Sequence, residues 1–161
     1  MSRKVAIGVD IGGTLTKVGI VDREGNLFAH TDFSTTKHKD FGDFLDELKT
    51  QIEDLRKQID FDHELSGIGV GAPNANYYRG TIEHAANLLW KGVVPFTEEI
   101  KKRYDLPVYI TNDASAAAIG EMIYGNATDM KDFMVITLGT GLGSGIVANG
   151  QLIYGYDSQA G

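Results

Sequence analysis

Two glycine-rich turns of nearly the same construction stand at opposite ends of this chain, Asp10-Ile-Gly-Gly-Thr-Leu-Thr-Lys17 and Leu138-Gly-Thr-Gly-Leu-Gly-Ser-Gly145. Each follows one apolar run and precedes another, so each reads as the turn of a β-hairpin. Turns this poor in side chains let backbone N–H groups close around an anion, and two such clamps facing each other grip a polyphosphate from both sides. The ligand they imply is a nucleoside triphosphate.

A single glycine-rich turn is weak evidence, and the residues around the first one sharpen it. Asp10 ends the run Val5-Ala-Ile-Gly-Val-Asp10, where a carboxylate can hold Mg²⁺ or its waters; Mg²⁺ favours few protein ligands plus phosphate oxygens. Thr14 and Thr16 can donate to phosphate. Lys17 reads either as a phosphate contact or as a solvated strand residue.

The chain has 161 residues, 42% apolar and 23% charged, enough for one domain or one and a fraction around a real core. Its net charge is −7, and the one basic cluster, Lys101-Lys-Arg103, reads as an exposed helix face, which argues against a nucleic-acid partner. Without cysteine there are no disulfides or thiolate metal sites in this stretch. No signal peptide or membrane-spanning apolar run is present, and the expected compartment is the cytoplasm, with no membrane partner.

Periodicity predicts strands over 3–10, 15–21 and 27–32, an antiparallel meander at a sheet edge. Asp40 is a candidate N-cap, and Phe41, Phe44, Leu45, Leu48, Ile52, Leu55 and Ile59 fall on one helical stripe, which predicts a helix over 40–59. A strand over 65–71, a helix over 97–104 and a strand over 108–111 follow. The order gives an α/β fold whose mixed sheet continues through parallel crossovers. Strands are also predicted over 133–138, 145–148 and 151–154.

The chemistry concentrates at Thr111-Asn-Asp113, at the carboxyl end of a strand, where open α/β sheets bind ligands. Ala114 to Tyr124 reads as a helix ended by Gly125, capped by Asp113 or Asn112, and its run of alanines permits close packing against a neighbouring backbone. Asn87, in Ile82-Glu-His-Ala-Ala-Asn-Leu-Leu-Trp-Lys-Gly92, would suit a sugar hydroxyl, while His84 and Trp90 read as packing residues.

Taken together, Asp10-Ile-Gly-Gly-Thr-Leu-Thr-Lys17, Gly69-Val-Gly-Ala-Pro73, Glu83-His-Ala-Ala-Asn-Leu88, Asn112-Asp113 with its alanine helix, and Leu138-Gly-Thr-Gly-Leu-Gly-Ser-Gly145 resemble the ROK family of sugar kinases and repressors, most of all its glucokinase-like members. The matches keep the family's order along essentially the whole chain. The resemblance implies the actin-like, ribonuclease-H-like ATPase fold, two lobes closing over ATP, Mg²⁺ and sugar. It implies that Asp10, Gly12, Gly13, Thr14, Lys17, Gly139, Thr140, Gly141 and Gly143 hold the nucleotide, with Asp10 holding Mg²⁺ or its waters. It places the sugar at Gly71, Asn87, Asn112 and Asp113, with Asp113 as the base that accepts the 6-hydroxyl proton of a hexose, glucose being the one expected. Phosphoryl transfer is largely positioning, so a carboxylate at a helix N-terminus suits this role.

The chain departs from the family pattern at Asn74, where a glycine is usual, and at Ser115, where many members have Asn; Asn tolerates left-handed backbone angles. It also stops at Asp157-Ser-Gln-Ala-Gly161, where the family continues into an acidic residue and a histidine that bind sugar and, in many members, a zinc loop. The expectation is a fragment: a first lobe over 1–124 and the opening of a truncated second lobe over 125–161, inactive alone and prone to self-association through uncovered strands. By resemblance the full-length relative is a homo-oligomer, and any structural zinc would lie in the missing part. Alternatives are a non-catalytic sugar sensor or transcriptional regulator, a plain actin-like ATPase, and a polyphosphate-dependent glucokinase. A strand beginning by Val5 leaves no room for an N-terminal helix-turn-helix, which argues against the DNA-binding form.

Overall fold

Alternation along the first strand decides which face of the sheet becomes core. The computed structural model describes residues 2–139 and 141–160 of the chain. In β1 (Arg3–Ile11) the side chains of Val5, Ile7, Val9 and Ile11 are buried, and in β2 (Leu15–Asp22) those of Thr16, Val18 and Ile20 join them. With β3 (Leu27–Ser34) these strands form the expected antiparallel meander at one edge of a five-stranded sheet. The sheet runs β3-β2-β1-β4-β8, where β4 (His63–Ala72) lies parallel to β1 and β8 (Val108–Asn112) parallel to β4. Both crossovers predicted from the element order are therefore present.

The helix predicted over 40–59 is α1 (Phe41–Lys57). Asp40 caps it, Oδ1 accepting from the N–H of Gly42 at 2.7 Å and of Asp43 at 3.3 Å. Its stripe of Phe44, Leu45, Leu48, Ile52 and Leu55 is buried with the core faces of the strands, and Phe41 and Ile59 are partly buried at its ends. Each such side chain contributes roughly 1.5–3 kcal/mol of burial. The next helix is shorter than its pattern predicts: α2 (Phe96–Lys101) starts after Pro95 without a side-chain cap, and Arg103 N–H already bonds back to the Ile100 carbonyl at 2.9 Å, a tightening last turn.

The stretch between β4 and α2 holds a small sheet that the sequence did not reveal, β5 (Ala75–Asn76), β6 (Thr81–Glu83) and β7 (Val93–Val94) in that order. Its strands are too short for a period to show. Finally α3 (Asp113–Tyr124) leads to a separate antiparallel sheet of β9 (Phe133–Leu138), β10 (Leu142–Ala148) and β11 (Gln151–Leu152), order β11-β10-β9. The strand predicted over 145–148 begins earlier, at Leu142, because its glycines pair in register with β9, and the one predicted over 151–154 ends at Leu152. No helix among the described residues is long and apolar enough to cross a membrane.

Candidate functional site

The helix α3 is where the site is assembled, and glycines let its neighbours approach it. A Cβ on Gly145 would stand 2.5 Å from the Ala114 carbonyl oxygen and 2.6 Å from the Ala118 Cβ; one on Gly143 would meet Ala114 at 3.2 Å. On the other side a Cβ on Gly71 would lie 3.1 Å from the Ala116 Cβ and 3.6 Å from the Asp113 Cα. The alanine run is thus the close-packing surface that sequence reasoning expected, pressed between β10 and β4.

Asn112, not Asp113, is the N-cap of α3: its Oδ1 accepts from the N–H of Ala114 at 2.9 Å and of Ser115 at 3.4 Å. That leaves Asp113 exposed at the first helical position, Oδ1 accepting from Ala114 N–H at 2.8 Å. Among the described residues its Oδ2 has no hydrogen-bond partner. A carboxylate there is favoured by the positive end of the helix and faces outward.

The first glycine turn joins the same neighbourhood. Gly12 N–H donates to the Leu15 carbonyl at 2.9 Å, closing the turn, and a Cβ on Gly13 would stand 2.9 Å from the Asn87 carbonyl oxygen and 3.2 Å from its Cβ. Exposed Asn87 therefore lies against the turn. Asp10 is paired in register with Lys17 on one side and Gly71 on the other, so contacts run from Asn87 through the first turn to Asp10, Gly71 and Asp113. Thr14 and Lys17 are exposed beside them. Thr16 is a correction: it is fully buried and its hydroxyl is 2.8 Å from that of Thr35, so it braces the hairpin and is shut off from any ligand.

In the second turn Gly139 and Gly141 face open space, Gly139 N–H donating to the Gly141 carbonyl at 3.0 Å, whereas the space at Gly143 is filled by Thr137 and Ala114. Thr140 lies outside the described residues. A groove of about 790 Å³ over the second face of the main sheet is mostly apolar and reaches only Asp10, Lys17 and Gly71 of the candidate residues. An apolar groove that touches the first turn only at its two ends and reaches none of the turn glycines is the wrong chemistry for a polyphosphate.

Around Asn87 the two packing expectations divide. Trp90 is buried with Phe44 at 4.3 Å between ring centroids, and its Nε1–H donates to the His38 carbonyl at 3.2 Å. His84 is a correction: it is exposed, at φ 52°, where its N–H closes the loop onto the Gly92 carbonyl at 2.7 Å. Beside it the Thr81 hydroxyl donates to Glu83 at 2.6 Å, and that bond, opposed by burial and supported by Arg79, holds the Glu83 carboxyl below its usual range. Asn74 takes φ 52°, so the Pro73 turn does use the left-handed angle that Asn tolerates.

Sequence reasoning missed the approach of the chain's last segment. Asn74, Ala75 and Asn112 share a pocket of about 120 Å³ with Ser158, Gln159 and Ala160. No local pattern joins segments as far apart as Asn76 and Asp157, 81 positions along the chain. Among the described residues no three His, Cys, Asp or Glu side chains cluster to hold a metal, and Asp10 stands alone as a carboxylate at the first turn.

A family model described as the ROK family matches residues 6–161. The glucokinase of Halalkalibacterium halodurans is 38% identical over 100% of this chain and 49% of its own length. The xylose repressor of Caldicellulosiruptor bescii is 29% identical over 96% of this chain and 39% of its own. Among solved structures, a ROK family glucokinase from Streptomyces griseus in complex with glucose and AMPPNP superposes with a TM-score of 0.83 at 33% identity, covering 96% of this chain and 47% of that one. The chain spans about half the length of the curated relatives it matches. Its fold is the actin-like, ribonuclease-H-like one of these kinases.

Proposed function

The chain belongs to the ROK family, and from that premise we propose that its full-length form is a kinase that transfers the γ-phosphoryl group of ATP to the 6-hydroxyl of a hexose, glucose first among the candidates. The observation that supports this reading is the exposed Asp113 carboxylate at the start of α3, a helix packed between Gly71 and β10, with Gly71 in register with Asp10 at the first glycine turn and Asn87 against that turn. An ATPase without a sugar substrate has no need of hydroxyl-binding groups both at Asn87 and at Asn112 and Asp113.

In the proposed mechanism Asn87, Asn112 and the Gly71 backbone orient the sugar, and Asp113 Oδ2 takes the proton of the attacking hydroxyl as the bond to phosphorus forms. The N–H groups of Gly13 and Gly141, with Thr14 and Lys17, would hold the phosphates, at turns that the Gly12 and Gly139 N–H groups close. One exposed carboxylate fits Mg²⁺, which takes most of its ligands from phosphate and water; Asp10 would hold it, and bound there it would neutralise charge on the transferred group. Closure of a second lobe, which we place after about Tyr124, would exclude water as a competing nucleophile. The similarity to a xylose repressor supports a second reading, a regulator that binds sugar without turning it over.

The test is a coupled ADP-release assay on the full-length protein with a panel of hexoses, wild type against Asp113→Asn, with hexose phosphate formation measured directly when polyphosphate replaces ATP. Hexose-dependent ADP release that falls by roughly 10³-fold or more in the variant supports Asp113 as base. Sugar binding with no turnover favours the regulator, ADP release indifferent to sugar moves the protein to the plain ATPases, and turnover with polyphosphate alone replaces the donor.

A further inference from the structure

The last segment of the chain is folded on itself and fastened to the main body. Ala160 N–H donates to the Tyr154 carbonyl at 3.1 Å, and at Gly155, φ 74°, a Cβ would stand 2.9 Å from that of Ala160, so residues 154–160 form a closed loop. The loop lies on residues 76–79. The Tyr77 and Tyr154 rings stack at 4.1 Å with 14° between planes, and Ser158 Oγ accepts from Tyr77 N–H at 2.9 Å. Asn76 is 2% exposed: its Oδ1 accepts from the N–H of Tyr78 at 3.1 Å and of Arg79 at 3.2 Å, while its Nδ2 donates to Asp157 Oδ1 at 3.3 Å. Arg79 Nη2 completes the junction on Asp157 Oδ1 at 2.9 Å.

These contacts have one geometric product. They hold Ser158, Gln159 and Ala160 across the pocket from Asn112 and Asn74. Asp157 is the node, since a buried amide and a guanidinium converge on one carboxylate. An ion pair this exposed stabilises folding by only about 0–1 kcal/mol, so stability is a poor explanation for it. We infer that Asn76, Arg79 and Asp157 form a latch between the small β5-β6-β7 sheet and the loop that follows β11, whose task is to position residues 158–160 as the far wall of the sugar pocket, making Asp157 a positioning residue for hexose binding. The inference rests on the sugar-kinase reading only in naming the pocket's occupant.

The experiment uses the full-length protein with Asp157→Ala, Asp157→Asn, Arg79→Ala and the Arg79→Ala/Asp157→Ala double variant. The hexose KM is expected to rise about 10-fold in Asp157→Ala, with the KM for ATP held within about twofold and kcat little changed. Asp157→Asn keeps an acceptor for Asn76 and should recover part of the loss, and the two single effects should fail to multiply in the double variant. Amide hydrogen exchange over residues 154–160 should quicken in Asp157→Ala. Unchanged exchange, a hexose KM that does not move, or equal losses in every parameter would overturn the latch. If the wild type turns over no hexose, the kinase reading fails, and the exchange data together with glucose affinity measured by calorimetry still decide: faster exchange with weakened glucose binding supports the latch, and anything less removes it.

Discussion

At the scale of single residues, charge and space are decided by neighbours. Burial acts to raise the Asp22 carboxyl, but the Asn26 side chain and backbone N–H, Arg3 at 3.0 Å and the Glu24 N–H together leave it below its ordinary value. A depressed folded-state value means that the stabilisation is complete above the unfolded-state value near about 4 and is lost as pH falls through the folded one. Asp22→Asn should therefore lower Tm most at pH 7 and by progressively less as the pH falls below about 4 in thermal melts; equal drops at every pH would refute the linkage. Gly145→Ala should destabilise by about 1–3 kcal/mol in denaturant titrations, because the added methyl meets the Ala114 backbone carbonyl, which cannot turn aside. A neutral result would show that β10 can lift from α3. Residues of this kind divide in legibility. Asn74 and the alanine run could be read from backbone preference and side-chain size alone, whereas the burial of Thr16 and the exposure of His84 depended on Thr35 and on a loop closed at Gly92.

Elements follow local rules more faithfully. The cap at Asp40 and the stripe of α1 were both visible in the order of residues, and both are open to test. Asp40→Ala should cost about 1 kcal/mol through two lost backbone acceptor bonds, and Leu48→Ala about 2–5 kcal/mol, since its side chain is completely buried. Denaturant midpoints that place Asp40→Ala below Leu48→Ala would reverse the assignment of roles. Asn112→Ala combines both levels: it removes the cap of α3 and the amide that borders the pocket, so sugar affinity should fall by more than the modest drop in stability accounts for. The ends of elements were less legible. The tightened last turn of α2 and the two- and three-residue strands β5, β6 and β7 are held by partners elsewhere in the chain and carry too few residues to display a period.

On the scale of the whole molecule, what matters is which surfaces are left uncovered. Along β9 the side chains of Met134, Ile136 and Leu138 alternate outward, and Leu142 on β10 is 75% exposed. Such a face is expected to drive association of the 161-residue chain, and Ile136→Lys with Leu138→Lys should shift its sedimentation toward monomer; an unchanged distribution would place any association elsewhere. The same chain is expected to show no hexose-dependent ADP release by itself, and sustained turnover would contradict the need for a second lobe. Local periodicity and turn chemistry were enough to determine the strand meander, the parallel crossovers, α1, α3 and the two glycine turns, because burial of one face imposes its period on neighbouring residues. The tertiary structure alone decided that β10 lies on Ala114 and Ala118, that Gly13 meets Asn87, and that Asp157 reaches Asn76 and Arg79. Those contacts join segments far apart in sequence, and they exist only where sheet register and the fit of particular side chains bring them together, which no run of adjacent residues encodes.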